Sequence, residues 1–151
     1  MINKTRTVTT GLAWAAMALI GASFQARAAE PLLYERLGGM PAIRAVVDRL
    51  LDHILKDDRV NGWFGWAAHP GSAARYKASL ADFVCQATGG PCQYKGPDLK
   101  SVHTGMGITK EAFDSVVEDL TAALDELKVP VGEKNELLGM LAPLQAQIVG
   151  Q

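Results

Sequence analysis

An all-α fold is predicted by three features of the sequence. Apolar residues recur at intervals of three and four, the two-residue alternation of strands is nearly absent, and glycine or proline punctuates the ends of the periodic stretches. Ile43, Val46, Val47, Leu50, Leu51, Ile54 and Leu55 form the clearest stripe, with Pro41 near its start, where a missing amide donor costs nothing. Between Ser72 and Ala87 a further helix puts Tyr76, Leu80, Phe83 and Ala87 on one face, with Val84 beside them and Cys85 roughly 200° around from Phe83. Residues 109–128 repeat the pattern through Phe113, Val116, Val117, Leu120, Leu124 and Leu127. Thr109 is the candidate N-cap, Glu111 lies in the first turn, and Pro130 ends the run. A last helix carries Leu137, Leu138, Leu141, Leu144 and Ile148, with a kink expected at Pro143. Four substantial helices with short turns result, and no linker or internal repeat divides them.

The first 28 residues are read separately. Lys4 and Arg6 precede an apolar run from Leu12 to Ala22, and Ala26-Arg27-Ala28 follows as a small-residue cleavage site, so residues 1–28 are expected to be a removed secretory signal. The run is shorter than the roughly 20 apolar residues that span a bilayer. The exported chain, residues 29–151, is then expected in the periplasm or a comparable compartment, with no stable membrane insertion.

Removal of Lys4, Arg6 and Arg27 leaves 12 basic against 16 acidic side chains, a net charge of −4. Such a balance argues against nucleic acid as a partner. Cys85 and Cys92 remain in an exported chain, where a disulfide can form, and closing so short a loop is worth ~2.5 kcal/mol in chain entropy. Metal binding by two isolated thiols is the weaker alternative. No Cys-x-x-Cys-His run occurs, so the usual covalent attachment of haem is excluded.

Residues 88–99, "TGGPCQYKGPDL", hold three glycines and two prolines and cannot form a long regular helix. An irregular stretch of this length in a small domain is often functional. It delivers the chain to His103, in a very short candidate helix, Leu99 to Thr104, before Gly105 and Gly107. A lone histidine is usually a surface or satisfied core residue. Here the opposite helix offers an apolar, aromatic face of Tyr76, Leu80 and Phe83, which suits a planar ligand, and an imidazole facing such a pocket is what a haem iron needs. His53 is expected to face solvent, and His69, before Pro70 and Gly71, to lie in an exposed turn. Neither His-Glu-x-x-His nor paired Cys-x-x-Cys motifs occur, which removes the common zinc arrangements.

In order along the chain, "LYERLGG", "AIRAVVDRLL", "LKDDRVNGWF", "GGPCQYKGPDLKSVH" and "GITKEAFDSVVEDLTAALDELKVP" resemble the group I truncated haemoglobins, from about Leu33 to Ile148. The resemblance implies a two-over-two helical sandwich around non-covalent haem b. It places the proximal iron ligand at His103, an aromatic haem contact at Phe64, the distal face at Tyr76, Leu80 and Phe83, and further pocket residues at Ile108 and Phe113. Two departures stand out. The family commonly carries a tyrosine on the second helix that bonds to the bound gas, and that position reads Leu51 here. Tyr76 occupies a distal position that is often apolar, so the phenol is expected either to have moved to the other wall or to sit at the pocket mouth in water. The second departure is "GWAAHPGSA", a connection a few residues longer than usual, which brings Trp66 and His69 near the mouth.

The function implied is binding of a diatomic gas (oxygen, nitric oxide or carbon monoxide) at an open sixth iron position. Nitric oxide dioxygenation is the chemistry that the resemblance adds, and it requires an electron donor that the sequence does not identify. The alternative is a six-coordinate electron-transfer or redox-sensing module in which His69 or Tyr76 completes the iron and the cysteine pair acts on the distal helix. A cofactor-free helical interaction domain is the third reading.

Overall fold

The computed structural model describes residues 30–151, and the expected signal, residues 1–28, lies outside the described residues. Helix α1 (Leu33–Arg36) leads through Gly38 into α2 (Gly39–Ile54). A 3-10 stretch (Asn61–Ala68), α3 (Pro70–Ala87), α4 (Leu99–His103), α5 (Lys110–Glu126) and α6 (Val131–Gly139) follow, and a 3-10 turn (Ala142–Leu144) joins α7 (Gln145–Ile148). Among the described residues there is no strand, and no helix is long and apolar enough to cross a membrane.

Helix α2 is the centre of the packing. Its stripe Ile43, Val46, Val47, Leu50 and Ile54 is buried, and the helix packs against both α3 and α5. Each such aliphatic side chain contributes roughly 1.5–3 kcal/mol relative to exposure. Leu50 and Ile54 join Leu120, Ala123 and Leu124 of α5 and Leu137 of α6 in one core cluster. Ile43 and Val47 join Ala81 and Cys85 of α3 in a second. Thr109 caps α5 as expected, its hydroxyl accepting from the Ala112 N–H at 3.1 Å.

Four expectations change. Helix α3 begins at Pro70 rather than Ser72: proline is favoured in the first helical turn, so Pro70-Gly71 opens a helix instead of making a turn, with His69 exposed as its N-cap. The long connection is consumed by this extra turn and by the 3-10 stretch. Ala87 is exposed rather than on the inner face, because α3 ends there, and Thr88 turns inward instead with its hydroxyl donating to the Val84 carbonyl at 2.7 Å. The last helix is broken into pieces around Pro143, not merely kinked, since proline lacks the N–H for a helical bond and its ring crowds the preceding turn. His53 is half-buried, with Nε2 3.1 Å from Glu126 on α5, rather than free in solvent.

The arrangement leaves α3 and α4 facing each other across a gap, with α2 and α5 closing the sides.

Candidate functional site: an apolar cavity with one imidazole

The gap is a cavity of about 560 Å³, inside the ~300–1,000 Å³ typical of small-molecule sites. His103, Val102, Ile108 and Phe113 line one side. Tyr76, Leu80 and Phe83 line the other, with Val47 and Leu50 behind them. Phe64 and Trp66 close one end from the 3-10 stretch.

His103 owes its position to a helix of only five residues, which is held at both ends. Asp98 caps its N-terminus, one carboxylate oxygen accepting from the Ser101 N–H at 2.9 Å and the other from the Ser101 hydroxyl at 2.6 Å. These bonds hold the Asp98 carboxyl below its usual range. Beyond the C-terminus, the Trp63 indole N–H donates to the Met106 carbonyl at 3.0 Å. Within the helix, His103 Nδ1 lies 2.6 Å from the Leu99 carbonyl oxygen. A carbonyl only accepts, so Nδ1 carries a proton, and in the neutral ring the lone pair is then on Nε2.

On the facing wall, Tyr76 is surrounded by protein yet retains accessible surface, because that surface is cavity wall. Its ring packs against Trp66, with centroids 5.0 Å apart, and edge-on against Phe64 at 5.8 Å. Burial alone pushes the phenol up to about 12, so it stays protonated and is a hydrogen-bond donor at neutral pH.

Of the residues expected at the site, His103, Phe64, Tyr76, Leu80, Phe83, Ile108 and Phe113 all border the cavity. Leu51 is the correction: it is buried, but the wall there is Val47 and Leu50. At 100° per residue Leu51 lies at the edge of the stripe whose centre is marked by Ile43, Leu50 and Ile54. His69 does not line the cavity either, whereas Trp66 does. Cys85 and Cys92 are joined in a disulfide.

Sequence reasoning missed Trp63, Arg75, Ser79 and Tyr94, which also border the cavity. Arg75 and Ser79 are four apart on α3, so helical spacing from Tyr76 and Phe83 could have located them. Tyr94 lies in the irregular segment, where no periodicity operates.

These walls fit haem. They are apolar over most of their area, one imidazole borders the cavity with its Nδ1 already engaged so that Nε2 is left to bind, and Arg75 and Ser79 can receive carboxylate groups. A helical sandwich built around such a space defines a haem-carrying globin. Residues 32–149 match the family model described as bacterial-like globin. The chain is 37% identical over 123 residues to the group 1 truncated hemoglobin GlbN of Mycolicibacterium paratuberculosis, covering 81% of this chain and 88% of that protein. It is 33% identical over 113 residues to the group 1 truncated hemoglobin of Tetrahymena thermophila, covering 75% and 87%. The crystal structure of truncated hemoglobin from Tetrahymena pyriformis in its Fe(III) form superposes with a TM-score of 0.73 at 30% identity, covering 80% of this chain and all of that one. The protein belongs to the bacterial-like globins and, within them, to the group 1 truncated haemoglobins, with their two-over-two fold. Its cofactor is haem b.

Proposed function

We propose that this chain is an exported haem b protein in which His103 Nε2 is the proximal iron ligand and the opposite face is kept open for oxygen or nitric oxide. Haem supplies a ferrous iron whose sixth position takes such a gas, carbon monoxide included. The observation that carries the reading is the asymmetry of the two walls. Among the described residues His103 is the only imidazole bordering the cavity, and it is faced by Leu50, Leu80 and a protonated phenol. Met106 also borders the cavity and is tied to the His103 side of it, its N–H donating to the His103 carbonyl at 3.1 Å. His69, exposed at the start of α3, does not border the cavity, which favours the open form over a six-coordinate electron-transfer module. With haem bound, the Tyr76 O–H would be the donor available to the gas, a task that the Leu51 position cannot perform.

The test is the optical spectrum of ferrous, gas-free protein. A high-spin, five-coordinate spectrum that converts fully with carbon monoxide supports the reading, and a low-spin spectrum without added ligand sinks it. Nitric oxide dioxygenation is compatible with the same pocket and needs one electron per turnover from a donor protein or small reductant. Single-turnover nitrate formation from oxygen-loaded protein tests it. Export is supported by the signal-like residues 1–28 and by the Cys85–Cys92 disulfide, which oxidising compartments favour. Recovery of a chain beginning at Ala29 from the periplasmic fraction is the expected outcome, and a cytosolic protein starting at Met1 would refute it.

A further inference from the structure

The segment between α3 and α4 must carry the chain from one wall of the haem cavity to the other, and it has almost no backbone support. Residues 91–97 make no backbone-to-backbone hydrogen bond within the described structure. What fixes them comes from three side-chain attachments. The first is the disulfide, whose Cys85 end is fully buried beside Ile43, Val47 and Ala81, directly behind the distal wall. The second is the Gln86 side-chain oxygen, which accepts from the Tyr94 N–H at 2.8 Å. The third is the Tyr94 ring, edge-on to Phe83 at 5.3 Å, with its hydroxyl donating to the Pro97 carbonyl at 2.9 Å, immediately before the Asp98 cap.

Helix α4 itself is too short to hold its own place. On its far side α7 and Trp63 support it. On its near side this set of attachments ties it back to α3. Gly96 shows how closely the segment is wrapped: a Cβ there would strike the Tyr94 ring.

We propose that the Cys85–Cys92 disulfide and Tyr94 form a strap that sets the separation of the two cavity walls, so that it protects haem retention in particular. The inference rests on the haem reading. Cys85 and Cys92, which do not border the cavity, are positioning residues that act through the placement of α4; Tyr94 borders the cavity as well as tying the strap, so Cys92→Ser is the variant that isolates the strap. Ordering this segment in advance removes a cost that haem binding would otherwise bear.

The test measures haem loss from the ferric holoprotein to an excess of apoglobin scavenger. Cys92→Ser leaves Cys85 buried as a small apolar thiol, and Tyr94→Leu keeps the disulfide while removing the aromatic contact and the hydroxyl. Each is expected to accelerate haem loss about tenfold. The double variant should be no worse than the faster single one, since both cut the same strap. Ile54→Val, in the core away from the cavity lining, is the control for general destabilisation and should change haem loss by less than about twofold. The iron–histidine stretching band of the ferrous protein should shift or broaden in the strap variants and not in the control. Haem loss unchanged in Cys92→Ser and Tyr94→Leu, or accelerated equally by Ile54→Val, overturns the strap while leaving haem binding intact. A wild-type protein that takes up no haem overturns both. If Cys92→Ser does not fold, Tyr94→Leu and Gly96→Ala still decide the matter with the disulfide in place.

Discussion

The Nδ1–H of His103 donates to the carbonyl of Leu99, one turn earlier in the same five-residue helix, at 2.6 Å. This bond places a proton on Nδ1, fixes the ring against its own helix and leaves Nε2 as the nitrogen available to the cavity that His103 borders. A carbonyl that partners a side chain in this way depends on the helix being where it is, which makes the Asp98 cap and the strap parts of the same arrangement.

Replacement of His103 by glycine is therefore expected to leave a helical protein that has lost the five-coordinate histidine spectrum. Imidazole added to the solution should restore that spectrum, because the space left behind is open to the cavity. A variant whose haem spectrum matches the wild type without imidazole would mean that another residue holds the iron.

Tyr76→Phe separates a structural from a functional hydroxyl. Among the described residues the phenol makes no hydrogen bond that its removal would cost in the absence of a ligand. Stability of the haem-free protein should then stay within about 0.5 kcal/mol of wild type. Oxygen dissociation should quicken by about two- to tenfold, the worth of one hydrogen bond in a dry pocket. An unchanged dissociation rate measured by stopped flow would place the hydroxyl away from the gas.

Gly90 has no room for a side chain. A Cβ there would lie 2.5 Å from a ring carbon of Tyr34 and 2.6 Å from the Cys85 sulfur, both parts of a packed junction of α1, α3 and the strap. Tyr34 is itself pinned, its hydroxyl accepting from the Met40 N–H at 3.1 Å. Gly90→Ala is expected to lower stability by roughly 1–3 kcal/mol. Urea unfolding of the oxidised protein measures it, and no loss would show that the junction yields freely.

The helices and the position of His103 at the cavity were legible in the sequence because periodicity and motif order are properties of contiguous residues. Ile43 to Ile54 announced a buried face, and "LKSVH" placed His103 after an irregular segment. Leu51 misled because a helix stripe has edges, and one residue of rotation decides whether an apolar side chain meets a cavity or a neighbouring helix. Pro70 misled in the same local way, since proline opens a helix as readily as it makes a turn. Tyr94 was invisible for a deeper reason. Its role arises from a long-range contact with Phe83 and from a disulfide, and neither follows from any spacing along an irregular stretch.

Asp119 supplies a pH dependence of stability. It lies on α5, only 8% exposed, and one of its carboxylate oxygens has no hydrogen-bond partner. Burial raises its pKa first, and the Asp57 charge adds to this, while His53 and Arg59 oppose it. A carboxyl whose native value is raised holds its proton longer when folded than when unfolded, so stability falls as pH rises. The decline begins near the unfolded value of ~3.9, runs through the higher native value, and is complete above it. At neutral pH the charged, unpartnered group therefore costs about 1 kcal/mol. Asp119→Asn removes the charge at constant shape and should be more stable than wild type by about that amount at neutral pH. The two proteins should converge below about pH 3, where wild-type Asp119 is protonated in both states. Urea midpoints taken across this range check the sign. A variant less stable than wild type at neutral pH would mean that the carboxylate is held by a favourable partner in solution.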